Sequence, residues 1–223
     1  MGNKTLCIAN NVKVSVIDIS NTYQEIINLF LPSWYIHDVH VEEMDYETVM
    51  NTWKIITDEN NFYPEFHLSK YTFNNTVSMK SNISAVTDNV ERTTFLEFFF
   101  YEFYNNLFTL HPNLRPLFKN NINLQGRKLV TMLDFLITNM KNNKDELVVI
   151  LRYLVTVHTK LGIKPNQYCI MMSNLFYTLT SVLKHDVYDS KIDHSWKRVI
   201  SKLLSILLPM AVYEDLKHRY IEK

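Results

Sequence analysis

The amino-acid sequence predicts an all-α protein. The 223 residues include only three glycines and six prolines, and apolar side chains recur at three- and four-residue steps in several long stretches. Sustained alternation of period two, the pattern of half-buried strands, is hard to find. With 47% hydrophobic and 21% charged residues, the chain has enough apolar material to bury a sizeable core.

The main domain is predicted to span residues 44–215, between an N-terminal extension at residues 1–43 and a C-terminal tail at residues 216–223. Its first helix is expected from Asp45 to Thr57, because apolar side chains there fall on one side of a helix. Within the extension, a short helix is predicted at residues 21–30.

A long insertion at residues 60–90 is expected between the first two helices of the domain. This stretch is rich in Asn, Ser and Thr with scattered aromatic residues, which is typical of a partly disordered surface excursion. The helical pattern returns at Thr93 and ends at His111 and Pro112. Four further apolar-striped helices are then predicted, at about residues 125–140, 147–161, 168–183 and 195–208.

Charge and motifs exclude several classes of function. Lys plus Arg and Asp plus Glu both total 23, so nucleic acid is not an expected partner. The sequence contains no Gly-rich phosphate loop, no CxxC pair and no HExxH zinc helix. Two cysteines cannot build a disulfide framework, and the first residues lack the blocks of a secretory signal, so we expect a cytoplasmic location.

The most informative residue is His158, which lies in an apolar helical stripe together with Leu147, Ile150, Leu151, Leu154 and Val155. A neutral imidazole in an apolar wall suits the axial position of an iron porphyrin, because it supplies the bond to iron while the wall excludes water. A hydrogen-bonded core histidine is the alternative interpretation of the same pattern.

Several ordered landmarks resemble the globins, and the pocket resembles that of bacterial haemoglobins and flavohaemoglobins. They are Trp53 in the first helix, FYNNLFTLHPNLRPLF at residues 103–118, VHTKLGIKPNQY at residues 157–168, and Trp196 in the last helix. The resemblance implies a globin fold, here with an N-terminal extension and an insertion between the first two helices. It also implies haem b as cofactor.

The resemblance assigns His158 as the proximal iron ligand and Phe118 as the corner phenylalanine that packs on the porphyrin. Counting along the helices directs Tyr104 and Gln125 inward, where an O–H and an N–H donor stabilise bound dioxygen. Leu129 is expected to wall the same side. The alternatives are a core tyrosine bonded to a backbone carbonyl and a solvated glutamine.

Three more residues complete the expected pocket. Arg127 and Lys128 are placed to pair with haem propionates, with simple solvation as the alternative. Tyr168 corresponds to the tyrosine that orients the proximal histidine in the bacterial relatives. Those relatives also use a glutamate late in the last helix, and here no acid occurs near that position before Glu214.

The function expected from this resemblance is reversible binding of O2, NO or CO, for storage, transport or sensing. Because no histidine occurs between Lys119 and Val157, the position on iron opposite His158 is expected to be open. Nitric oxide dioxygenation is the enzymatic alternative. It would need an external reductase, since no flavin domain follows. A haem-free interaction module is the third possibility.

The N-terminus carries a partial acylation signal. Gly2 can accept myristate after removal of Met1, and Cys7 can add palmitate, which together would anchor the chain to a membrane surface. Leu6 stands where the signal usually has Ser or Thr, so an ordinary disordered terminus is the alternative.

Overall fold

The computed structural model describes residues 21–61, 94–118, 122–142 and 144–220. All regular elements within these ranges are helices, which confirms the all-α prediction. They are α1 (Asn21–Asn28), α2 (Glu43–Thr57), α3 (Phe95–Leu110), a 3-10 helix (Pro112–Leu117), α4 (Ile122–Asn142), α5 (Lys144–Lys160), α6 (Pro165–Val187) and α7 (Ser190–Tyr220). In this part of the chain, no helix combines the length and apolar character needed to cross a bilayer.

The core is centred on α7, which packs against α2, α5 and α6, while α3 packs against α6. Trp196 of α7 is fully buried and meets the Trp53 ring at a centroid distance of 6.2 Å. Trp53 in turn meets Phe99 of α3 edge to face at 5.7 Å. Two of the sequence landmarks therefore contact each other across the centre of the molecule.

Polar contacts between helices fix the positions of α2 and α6. The Trp53 indole N–H donates to the carboxylate of Asp134, which joins α2 to α4. Burial raises the pKa of Asp134, while this hydrogen bond opposes the shift. The side-chain amide of Asn174 in α6 donates to the carbonyl of Phe103 in α3 at 2.9 Å. These bonds set the register of neighbouring helices.

Helix α4 approaches α3 closely at Gly126. A side chain at this position would place its Cβ 3.3 Å from the ring of Phe100, which is tighter than ordinary van der Waals contact. Glycine therefore lets the first turns of α4 lie directly against α3. This approach brings the start of α4 near the α3 residues that the sequence analysis selected.

Helix α7 continues past Leu208, where the sequence pattern ended, and runs to Tyr220. Pro209 lies inside it and cannot donate the backbone hydrogen bond of an ordinary helical residue. The Tyr23 hydroxyl of α1 donates to the Pro209 carbonyl. Burial of Met210, Ala211 and Val212 favours continued helix, so packing outweighs the local cost of the proline.

The extension is an integral part of the fold, because residues 29–42, here called the strap, lie along α6 and α7. The Trp34 indole N–H donates to Ser173 Oγ at 2.9 Å, and its ring meets Phe176 edge to face at 4.6 Å. The Ile36 N–H donates to Ser201 Oγ at 3.0 Å. The purpose of this segment was not predicted from sequence, and the structure shows it covering an α6–α7 face.

Buried Asp45 ties the end of the strap to the domain. Its carboxylate accepts from the Glu42 N–H at 2.9 Å and from Ser195 Oγ at 3.0 Å, and it pairs with the Arg198 guanidinium at 3.0 Å. The guanidinium of Arg198 also donates to the His40 carbonyl. One carboxylate thus joins the strap, α2 and α7.

The insertion begins and ends at one point, because the Phe95 N–H donates to the Asn61 carbonyl at 2.8 Å. Thr94 begins α3 with a capping box, in which its N–H donates to Glu97 Oε2 at 2.9 Å. The excursion was predicted at residues 60–90, and all of it after residue 61 lies outside the described residues. Its two attachment points are therefore held together by the folded domain.

We predict that replacing residues 62–93 with a short Gly-Ser linker leaves the domain folded. The ends of this loop are already adjacent, and a shorter loop has a smaller entropic cost of closure. The free energy of unfolding should therefore stay the same or rise by about 1 kcal/mol. Thermal denaturation followed by circular dichroism measures this change. A variant with its helical signal lost at room temperature would contradict the prediction.

Candidate functional site

His158 lies in the last turn of α5 and is partly buried. Its Nδ1 atom is buried and has no hydrogen-bond partner among the described residues. Burial lowers the pKa of this imidazole, so the ring is neutral at neutral pH. A neutral imidazole with an available lone pair is the form that ligates a metal.

The apolar stripe that contains His158 divides into two faces, whereas its spacing predicted a single apolar wall. Leu147, Leu151 and Val155 are at most 1% exposed. Ile150 and Leu154, like His158, are only partly buried. Sequence spacing cannot separate these faces, because apolar residues suit a core and a ligand pocket equally. The partly buried face is a surface that an apolar ligand can cover.

The chain leaves α5 in a fixed geometry directly after His158. The Ile163 N–H donates to the His158 carbonyl at 3.0 Å, and the Gly162 N–H donates to the Thr159 carbonyl at 3.0 Å. Gly162 has φ 86°, in the left-handed region that favours glycine. These are the bonds of a Schellman motif, so the His158 carbonyl itself takes part in ending the helix.

Tyr168 of α6 lies beside His158, with ring centroids 5.7 Å apart and planes inclined at 41°. Its hydroxyl is buried, and burial raises its pKa, so it keeps its proton at neutral pH. The hydroxyl has no hydrogen-bond partner within the described ranges. The two rings are therefore neighbours, while the orienting role of Tyr168 stays a prediction.

Tyr104 and Phe118 form a second group on α3 and the corner that follows it. Tyr104 is 2% exposed, and its ring lies 5.7 Å from that of Phe118. Phe118 follows the 3-10 helix and also meets Phe108 at 5.4 Å. Burial raises the pKa of Tyr104, which remains a hydrogen-bond donor. This burial fits both the predicted donor and the alternative of a core tyrosine, so the role of Tyr104 toward a gas ligand stays a prediction.

Helix α4 carries the remaining predicted residues. Gln125 is partly buried next to Gly126, in the turn that approaches Phe100, and Leu129 packs partly buried against the core. Arg127 and Lys128 are exposed on the same helix. Neither forms a salt bridge with another described residue, and their pairing with propionates stays a prediction.

Met132 and Val157 are two further apolar residues on the helices that carry the predicted pocket. Both side chains are partly buried, Met132 on α4 and Val157 beside His158 on α5. Val157 does not belong to the apolar cluster of the core. Their partial exposure could not be predicted from spacing, because it depends on how the helices pack.

These residues fit haem. His158 presents a neutral imidazole on a partly exposed apolar face of α5. Haem needs these two features, a nitrogen ligand and an apolar surface for its flat ring. Within the described ranges, no group of three His, Cys, Asp or Glu residues is arranged to hold a metal ion.

Comparison with known families agrees with this architecture. Residues 101–207 match the family model described as Globin. The match begins within α3 and ends within α7, so it includes every predicted site residue from Tyr104 to Tyr168. The chain has an all-α globin fold. The finer resemblance to bacterial haemoglobins stays a prediction.

Proposed function

From the globin domain at residues 101–207, we propose that this protein binds haem b and, through it, reversibly binds dioxygen and related diatomic gases. The observation that carries the proposal is the neutral, partly buried imidazole of His158, whose Nδ1 has no partner among the described residues. It lies on an apolar face within the stretch that matches the globin family.

Haem would supply a ferrous iron able to take a diatomic gas as a ligand. His158 would hold the iron through a ring nitrogen, and Phe118 would pack against the porphyrin. Leu129 would keep water from the gas-binding side. Arg127 and Lys128, both exposed, would pair with the propionates at the rim, where such ion pairs contribute less than about 1 kcal/mol each.

Tyr104 and Gln125 are proposed to donate hydrogen bonds to the bound gas. The Tyr104 hydroxyl remains protonated, because burial raises its pKa, and no described residue competes for its hydrogen. Each such bond stabilises a polar ligand by about 1 kcal/mol or more in a dry pocket. Dioxygen accepts these bonds better than carbon monoxide does, so this pair favours slow release of oxygen.

A second candidate is nitric oxide dioxygenation, which the same pair of Tyr104 and Gln125 supports. This reaction converts nitric oxide and dioxygen to nitrate and needs an external reductase to return the iron to the ferrous state. Catalytic consumption of nitric oxide by the reduced protein with a reductase would favour the enzyme. Oxygen retained without turnover would favour storage, transport or sensing.

The test of the proposal is an absorbance spectrum of the purified chain titrated with hemin. We expect a Soret band that saturates at one hemin per chain and shifts when the reduced sample is exposed to carbon monoxide. A chain that shows only the spectrum of free hemin would be the haem-free interaction module. Circular dichroism of the same sample confirms that the tested protein is folded.

We also propose a cytoplasmic protein attached to membrane surfaces by acyl chains on Gly2 and Cys7. The support is the sequence signal alone, since residues 1–20 lie outside the described part. Incorporation of labelled myristate in cells, lost on Gly2→Ala, tests it. An unlabelled wild-type chain would show that the terminus is not acylated.

A further inference from the structure

An ion pair joins the corner after α5 to the C-terminal part of α7. The Asp215 side chain is 6% exposed, and its Oδ1 lies 3.0 Å from Lys164 Nζ. Its other oxygen pairs with Arg219, four residues further along the same helix. Of these two cations, only Lys164 belongs to another element, so only this pair connects α7 to the corner.

Lys164 is the last of the four residues between the end of α5 and the start of α6. Its N–H donates to Gln167 Oε1 at 2.7 Å, which fixes it against the first turn of α6. The preceding residue, Ile163, donates its N–H to the His158 carbonyl. Lys164, which is ion-paired with α7, thus directly follows Ile163, the residue whose N–H bonds to the His158 carbonyl.

No described side chain forms a hydrogen bond with Nδ1 of the imidazole, although the Tyr168 ring packs beside it. The Tyr168 hydroxyl also makes no hydrogen bond with a described residue. Metal-bound histidines are usually held by a hydrogen bond on the second ring nitrogen. Where that bond is missing, the position of the ring depends on the backbone that carries it and on packing.

We propose that the Lys164–Asp215 pair is a positioning device for His158. By holding the corner against α7, it fixes the last turn of α5 and so keeps one orientation of the imidazole toward the iron. The carboxylate of the pair is buried, whereas the Lys164 side chain is 43% exposed, so solvent screens the pair in part. This inference rests on the proposed haem function, and it assigns the pair a role beyond folding.

The test compares Lys164→Gln with Arg219→Gln in the full-length, hemin-loaded protein. Both variants remove one cation from Asp215, but only the first breaks the connection to the corner. We expect Lys164→Gln to shift the iron–histidine stretching band in the ferrous Raman spectrum and to speed hemin loss by roughly fivefold. Arg219→Gln should leave both near wild type, and Lys164→Arg should restore them.

A measurement on the apoprotein is independent of haem. The Ile163 amide hydrogen should exchange with solvent several times faster in Lys164→Gln, because its bond to the His158 carbonyl opens more often. Equal effects of Lys164→Gln and Arg219→Gln would reduce the pair to general stability and overturn the positioning role. Normal hemin uptake with an unchanged Raman band and unchanged exchange would also overturn it. A wild-type chain that takes up no hemin would instead overturn the proposed function.

Discussion

Replacing His158 with alanine should abolish stable haem retention. The change removes the proposed iron ligand, and the described residues offer no second histidine in the apolar face of α5. Because His158 is only partly buried and its Nδ1 makes no hydrogen bond with a described residue, the loss of packing is small and the fold should persist. Hemin titration and transfer of hemin to an acceptor protein measure the effect.

Two controls separate loss of the ligand from loss of the fold. His37→Ala changes an exposed histidine of the strap and should bind hemin like wild type. Added imidazole should return an axial ligand to the space left in His158→Ala and recover a Soret band near that of the native protein. Stoichiometric hemin and an unchanged spectrum in the alanine variant without imidazole would refute the assignment.

Tyr104→Phe should mainly accelerate the release of dioxygen. The substitution keeps the buried ring that packs on Phe118 and removes only the hydroxyl. Each hydrogen-bond contribution of about 1.4 kcal/mol that is lost raises the dissociation rate by about tenfold. Stopped-flow measurement of oxygen and carbon monoxide dissociation checks this result, with little change expected for carbon monoxide.

Tyr153→Phe is the matched control, because Tyr153 is 73% exposed and its hydroxyl faces solvent. It should leave both gas dissociation rates at their wild-type values. Equal oxygen release from Tyr104→Phe and the wild-type protein would show that the Tyr104 hydroxyl does not contact the ligand.

The helices were predictable because their apolar residues repeat with the helical period. Trp53 and Trp196, the landmarks of the first and last helices, lie in such stretches, and the structure buries both. The end of α7 was not predicted, since Pro209 is a local helix breaker. Only the contacts of Tyr23 and the buried residues after the proline explain why that helix continues.

Part of the candidate site could be predicted from the sequence, for a different reason. Residue type and spacing selected His158 and Tyr104, because few residue types supply an imidazole ligand or a buried donor, and the globin resemblance selected Phe118. Their roles toward haem stay predictions. The division of α5 into a core face and a partly exposed face depends on how α7 packs, which spacing does not encode. The pair of Lys164 and Asp215 joins residues 51 positions apart, and no local pattern indicates it.

Self-association of this chain is constrained by the strap. Trp34 and Ile36 already bury part of the α6–α7 surface through contacts with Phe176, Ser173 and Ser201. A second subunit could bind this surface only by displacing the strap of the chain to which the surface belongs. Assemblies of the intact protein should therefore form through other faces. Removal of the strap would expose the apolar surface around Phe176 to water and promote aggregation.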